Sequence, residues 1–210
     1  MLKIQRLLTS LSHQRPVFHS EADFQHALAW EIQTKFPNAS VRLEFPVILD
    51  SDVIYVDIWI DLGGEVAAVE LKYKTRGLSV DVNGEQYRLK NQSAQDCGRY
   101  DFLKDIQRLE KIASISSNPF TAYAVLLTND SAYWKPPHRP ETVDTDFRIH
   151  EGRLVTGALN WRDNASDGTM KNRENSIVLK GKYRLHWIPY SRFDGLRYGE
   201  FRALVVSLGE

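Results

Sequence analysis

Apolar residues recur every four positions at Phe24, Leu28 and Ile32, the spacing that lays a buried stripe along one face of a helix. Ser20 and Asp23 form a variant of the capping box, and Pro37-Asn38 supplies a stop, so a helix is expected from Ser20 to about Phe36. Arg42–Ile48, Val53–Leu62 and Glu65–Tyr73 follow as three strands. Pro46 suits an edge or bulge in the first of them, and Leu49–Asp52 turns the chain into the second. Gly63-Gly64 joins the second to the third, because both positions of a two-residue hairpin turn can then take positive φ. Ser93 stands where it would cap a second helix carrying Cys97, Tyr100, Leu103, Ile106 and Ala113, ended by Asn118-Pro119. Thr121–Thr128 is apolar on both faces, the pattern of a strand covered by helices on both sides.

Beyond Asn129 the chain is rich in Pro, Gly, Asn and Asp. Short strands are expected at Phe147–His150, Arg153–Leu159, Ser176–Leu179, Tyr183–Pro189 and Phe201–Ser207, with Lys180-Gly181-Lys182 between the third and fourth. None has a helix of its own to cover it, so these strands are expected to extend or pack on the first sheet. The pattern as a whole predicts one α/β domain over residues 1–210: a central mixed sheet flanked by helices, with a core over about 20–128 and a β-rich extension over about 129–210.

Composition narrows the class. With 42% hydrophobic and 26% charged residues the chain is that of an ordinary globular protein. No apolar run is long enough to cross a bilayer. A single cysteine, Cys97, and no leader-like N-terminus point to a reducing cytoplasm. The 27 basic and 27 acidic side chains cancel, which excludes nucleic-acid binding by bulk charge alone. Their distribution is uneven: residues 1–69 carry nine acids against five bases, and residues 131–198 twelve bases against eight acids.

The chemistry concentrates in the hairpin. With Gly63-Gly64 in the turn, Leu62 faces Glu65, and the register brings Asp57 opposite Glu70. Cross-strand Cβ atoms there lie roughly 4.5–5.5 Å apart, close enough for two carboxylates to share a divalent ion. Alternation puts Glu70 and Lys72 on one face and Val69 and Leu71 on the other, with Val56, Ile58 and Ile60 directed away from Asp57 into a packed layer. Two adjacent acids repel unless a lysine, a proton or a metal compensates them. An Asp57/Glu70–Lys72 ion-pair cluster on a half-solvated sheet is the structural alternative.

Asp57-Ile58 followed by Glu70-Leu71-Lys72 resembles the PD-(D/E)xK nuclease superfamily, the restriction-endonuclease-like fold, over approximately Glu21–Thr128. The order helix, three antiparallel strands, helix, strand is that of the family core, and Val56 stands where the motif name has proline. The resemblance implies Mg2+, with Mn2+ as a substitute, held by Asp57, Glu70 and the Leu71 carbonyl. It also implies Lys72 as catalytic lysine and Glu21 as the first-helix acid. Read from position alone, Glu21 either caps the first turn or projects toward a site at the core's rim. The implied activity is divalent-metal-dependent hydrolysis of nucleic-acid phosphodiesters, with DNA the expected partner and a homodimer compatible with paired cuts. The alternatives are a catalytically silent nucleic-acid-binding or interaction module on the same scaffold, and hydrolysis of another phosphodiester.

Further candidates surround this motif. Gln95 and Tyr100 on the second helix loosely resemble the Gln and Tyr that some branches of the superfamily place near the scissile phosphate; the resemblance, with Arg99 beside them, implies positioning of phosphate or water, and surface or helix-cap roles are the alternative. Arg108 and Lys104 offer a phosphate-facing flank, although Asp101 and Asp105 lie near enough for pairs within the helix. Glu44 has Arg42 as a simpler partner than an ion. Trp134-Lys135-Pro136-Pro137-His138-Arg139 suits a nucleic-acid edge or end, or a rigid loop whose Trp caps the core. Lys171, Arg173, Lys180 and Lys182 form a second basic interval. No Cys/His cluster, phosphate-binding G-x-x-x-x-G-K-[ST] loop or nucleophile elbow is present.

Overall fold

The computed structural model describes residues 2–209. Its elements are, in chain order, α1 (Ile4–Gln14), α2 (Glu21–Lys35), β1 (Ser40–Leu49), β2 (Asp52–Asp61), β3 (Val66–Lys74), β4 (Leu78–Val82), β5 (Glu85–Leu89) and α3 (Gln95–Ile115). They continue with β6 (Phe120–Thr128), β7 (Leu154–Leu159), α4 (Asp167–Met170), β8 (Ile177–Arg184), β9 (Trp187–Arg192) and β10 (Glu200–Leu208). Six strands form the central sheet in the order β1-β2-β3-β6-β10-β9. Only β3 and β6 run parallel, joined through α3, and the other neighbours are antiparallel.

Two apolar layers sandwich the sheet. On one face α1 and α2 pack Leu8, Phe24, Leu28 and Ile32 against Ile58, Val69, Leu71 and Val125. On the other, α3 sets Phe102, Ile106 and Leu109 against Ala68, Ala124 and Leu126. Strands buried on both sides read as continuous apolar runs, and β3 and β6 do so because they lie at the centre. The small Ala67, Ala68, Ala122 and Ala124 admit the helices closely.

Local chemistry accounts for most boundaries. The Ser20 side chain accepts the Asp23 amide at 3.1 Å, the cap expected for α2. Gly63 and Gly64 take φ of +80° and +118° in the β2–β3 turn. Leu62 bonds to Glu65 across it, and the ladder runs from Asp61–Val66 to Ile58–Val69, the predicted register.

Several expectations are corrected. Ile4–Gln14, unassigned from the sequence, is a helix with Ile4, Leu7, Leu8 and Leu11 buried. Leu78–Leu89, for which the sequence pattern predicted no element, is a hairpin turned by Asn83-Gly84 with φ of +54° and +87°. Ser93 does not cap α3: the chain enters through left-handed Ala94, and no side chain caps that end. Phe147 ends a 3-10 turn, Thr145–Phe147, and Phe147–His150 is not a strand. Lys180-Gly181-Lys182 lies inside β8 rather than between strands. Glu110 of α3 accepts the Lys180 and Gly181 amides at 2.9 and 2.7 Å and fastens β8 where its pairing with β7 shifts. β9 and β10 extend the central sheet, while the β7–β8 ribbon packs on α3.

Val56 also departs from the expected alternation. It is buried in the α3 layer, whereas Ile58 and Ile60 are buried in the α2 layer. The reversal occurs at Glu44 and Asp57, which the register places opposite each other but which do not pair, and Glu44 takes φ of +49°. Gln25 of α2 spans the break, donating to Glu44 Oε1 and to the Asp57 carbonyl, both at 2.7 Å.

Candidate functional site

At this kink β2 leaves β3. Alternation from the Leu62–Glu65 pair directs the Leu71 and Tyr73 amides toward β2, but the ladder stops at Ile58–Val69. Two carboxylates take the vacated strand's place. Asp57 Oδ2 accepts the Leu71 N–H at 2.5 Å, and Glu21 Oε2, from the first turn of α2, accepts the Tyr73 N–H at 2.7 Å. Glu21, in the first turn of α2, thus reaches across the gap to the β3 main chain.

On the α3 side Glu70 receives a hydrogen bond from Arg108, and the Lys72 ammonium stands 2.7 Å from Asp105 Oδ2. At that distance the charge–charge attraction is strong, and it holds Lys72 toward α3. Lys72 Nζ donates to the Leu71 carbonyl at 3.0 Å. Arg108 also approaches Asp105 at 3.7 Å. Glu21, Asp57, Glu70 and Asp105 thus meet two cations, Lys72 and Arg108. The face is not half-solvated: Glu70 is 2% exposed and Asp105 5%. Glu21 is exposed and Asp57 half-buried, so the cluster opens at the β2–β3 gap and is closed by α3.

Electrostatics reflect the anionic surplus. Burial pushes the Glu70 carboxyl well above its usual range, and repulsion from Asp105 and Asp57 adds to this against the pull of Arg108. Burial likewise raises Asp57, partly offset by the Leu71 amide and Lys72. For Lys72, burial would favour the neutral amine, but Asp105, Glu21 and Asp57 outweigh it and hold the ammonium above its ordinary value. Burial raises Asp105 too, against Lys72 and Arg108. Lys72 is thus held as the ammonium beside a carboxyl whose own value burial raises.

A hard divalent cation fits the donors in kind, since all are oxygens and the surplus is negative. Asp57 Oδ1 and Glu70 Oε2 take no hydrogen bond from another described residue. Among the described residues no group of three or more His, Cys, Asp or Glu side chains is arranged to hold a metal. The ligand set implied by the resemblance, two carboxylates and the Leu71 carbonyl, is smaller than that.

The second-helix candidates lie elsewhere. Gln95 donates to Asp130 at 2.8 Å. Arg99 bonds to Asp144 at 2.5 Å and to the Ala132 carbonyl at 2.8 Å. Tyr100 donates to the Asn175 carbonyl at 2.8 Å and packs on Phe147 and Trp161. None touches the carboxylate cluster. Glu44 finds Gln25 rather than Arg42, whose guanidinium lies over Phe45. Trp134 is 5% exposed and packs near Trp187, so it belongs to the core, while Lys135 and Arg139 are exposed. Arg173 pairs with Asp101 at 2.7 Å.

Sequence reasoning missed Gln25, saw Asp105 only as a partner within its helix, and placed Arg108 on a phosphate-facing flank rather than against Glu70. The available signal was position: Asp105 falls in the stripe Phe102, Leu109, Ile112 that α3 buries, where a charged residue needs a partner from the sheet. No helix of the described residues is long and apolar enough to cross a membrane. Comparisons of the chain with family models, curated proteins and solved structures found no match in any of the three.

Proposed function

We propose that the chain is a divalent-metal-dependent nuclease with its site in the β2–β3 gap, acting on DNA and using Mg2+, for which Mn2+ substitutes. The observation that carries this reading is the convergence of Asp57, Glu70 and Lys72, close enough to act on one another's charge, where β2 leaves β3 in a mixed sheet flanked by helices. Asp57, Glu70 and the Leu71 carbonyl would hold the ion, whose contribution is Lewis acidity toward a phosphoryl oxygen. Lys72 acts as a cation. Asp105 keeps it protonated, so it orients the attacking water or stabilises the charge that builds on the phosphate; it does not take up a proton. Arg108 fixes the orientation of Glu70, and Glu21 anchors the β3 backbone beside Lys72.

One observation favours a second reading. Glu70 and Lys72 each have a charged partner on α3, which suits a catalytically silent nucleic-acid-binding scaffold as well. Cleavage assays on single-stranded, duplex, nicked and branched DNA separate the two. Asp57→Asn, Glu70→Gln and Lys72→Ala, each verified as folded by near-UV circular dichroism, are expected to lose on the order of 10³-fold in Mg2+-dependent turnover. Full activity in both acid variants would remove the site, and stoichiometric divalent binding by a wild type that cuts none of these substrates would favour the silent scaffold.

A further inference from the structure

A cavity of about 490 Å³, lined by several charged side chains, lies beyond the C-terminal ends of β3 and β6. Its walls include Arg76, just past β3, Arg99 of α3, Arg148, and Lys135 and Arg139 from the proline loop. Two carboxylates answer these five cations. Asp144 is shared by Arg99 at 2.5 Å and Arg148 at 3.3 Å. Asp130 is held by Gln95 at 2.8 Å and lies 4.0 Å from Arg76. Arg99 is 5% exposed, and its Nε is buried without a hydrogen-bond partner. Burial and the charge of Arg99 together lower Arg148 below the usual guanidinium value, a sign of crowded positive charge.

The cavity is built rather than incidental. Asn129 accepts the Arg76 amide at 2.7 Å and donates to the carbonyls of Arg76 and Tyr198 at 3.2 and 2.9 Å, tying the end of β3 to the segment before β10. The Arg76 side chain reaches the Tyr198 hydroxyl at 3.2 Å. Across the cavity the Ala132 carbonyl holds Arg99, and Pro136-Pro137 stiffens the wall from which Lys135 and Arg139 project.

We propose that this cavity binds a phosphate monoester, carried either by the end of a nucleic-acid strand or by a free nucleotide. A dianion with three terminal oxygens matches a surplus of several cations better than the single charge of a diester does, and planar guanidinium groups suit it. Arg76 follows Lys72 by four residues, roughly 13 Å along an extended chain, so a strand end held here lies within a few nucleotides of the carboxylate cluster.

The test measures binding by fluorescence anisotropy in chelator, so it reads no cleavage and its failure leaves the nuclease reading untouched. Oligonucleotides ending in 5′-phosphate, 3′-phosphate or hydroxyl only are compared, with inorganic phosphate and a nucleoside monophosphate as competitors. A phosphate-ended strand is expected to bind at least about tenfold more tightly than its hydroxyl-ended counterpart. Arg76→Gln, which leaves Asp130 its hydrogen bonds from Gln95 and the Ala132 amide, and Arg139→Gln are expected to erase most of that preference. Competition by phosphate and monophosphate without preference for a strand end assigns the site to free nucleotide. Equal affinity for all ends without competition overturns the proposal, as does a preference that both variants retain.

Discussion

The β2–β3 gap and the cavity beyond β3 are both polar sites set into a well-packed fold, and their charges have opposite sign. In the gap four carboxylates meet Lys72 and Arg108. In the cavity five cations meet Asp130 and Asp144. Buried charges in natural proteins are normally matched, since an unpaired ion in a weakly polarisable interior is costly. Surplus of one sign is the feature on which the two proposals rest: a bound cation in the first case, a bound anion in the second. The same helix, α3, serves both, with Gln95 and Arg99 near its start and Asp105 and Arg108 in its middle.

The largest test of this contrast is to remove the anion from the cationic side. Asp144→Ala leaves Arg99 and Arg148 crowded without their shared carboxylate and is expected to cost about 3 kcal/mol, read from urea denaturation. A loss below about 1 kcal/mol would mean that the cavity's charges are not held in check by Asp144.

Next comes ligand linkage at the anionic side. Mg2+ at a hundredfold excess over its dissociation constant should stabilise the wild type by about 2.7 kcal/mol, seen as a rise in Tm. The double variant Asp57→Asn/Glu70→Gln should show no such rise. An equal rise in both would place the ion elsewhere.

The smallest effect is the response to pH, measured in chelator. Burial would raise Asp144, but the Thr142 hydroxyl, Arg99 and Arg148 outweigh it and hold this carboxyl below its usual range. Its contribution to stability is therefore present above the ordinary carboxylate value and lost as the pH falls through the depressed one. Glu70 has the opposite sign. Folding favours its protonated form, so its contribution is present below the ordinary value and lost as the pH rises through the elevated one. Glu70→Gln is expected to raise the urea midpoint at neutral pH and Asp144→Asn to lower it, both differences shrinking on acidification. Shifts of the same sign at neutral pH would dissolve the contrast.

The sheet's hairpin was legible because its signals are local. Gly63-Gly64 sets the register, and alternation then fixes which face Glu70 and Lys72 share. The β4–β5 hairpin carried a comparable signal in Asn83-Gly84 between Val80, Val82 and Tyr87, and α1 carried one in the spacing of Ile4, Leu8 and Leu11. Neither depended on tertiary information. The kink at Asp57 did. Nothing in Val56-Asp57-Ile58 announces that Val56 turns to the opposite layer, since the cause is the paired distortion at Glu44 and the hold of Gln25, distant in sequence. The partners of Lys72 and Glu70 lie more than thirty residues away on α3, and their identity depends on how that helix is rotated against β3. The cationic cavity joins residues from Arg76 to Tyr198, a grouping that only the topology creates.

The carboxylates of Asp57 and Glu21 bond to the main chain of β3 where a neighbouring strand would otherwise do so. Two side chains thereby serve as a proxy for two backbone carbonyls, and the integrity of an interior strand is entrusted to groups that the proposed reaction would also need. In the proposed nuclease such an arrangement would resist gradual loss of activity, because mutational drift that deletes either acid also strips an interior amide of its acceptor, leaving the amide-bearing isosteres Asn and Gln as the changes by which that chemistry would be abandoned while architecture persists.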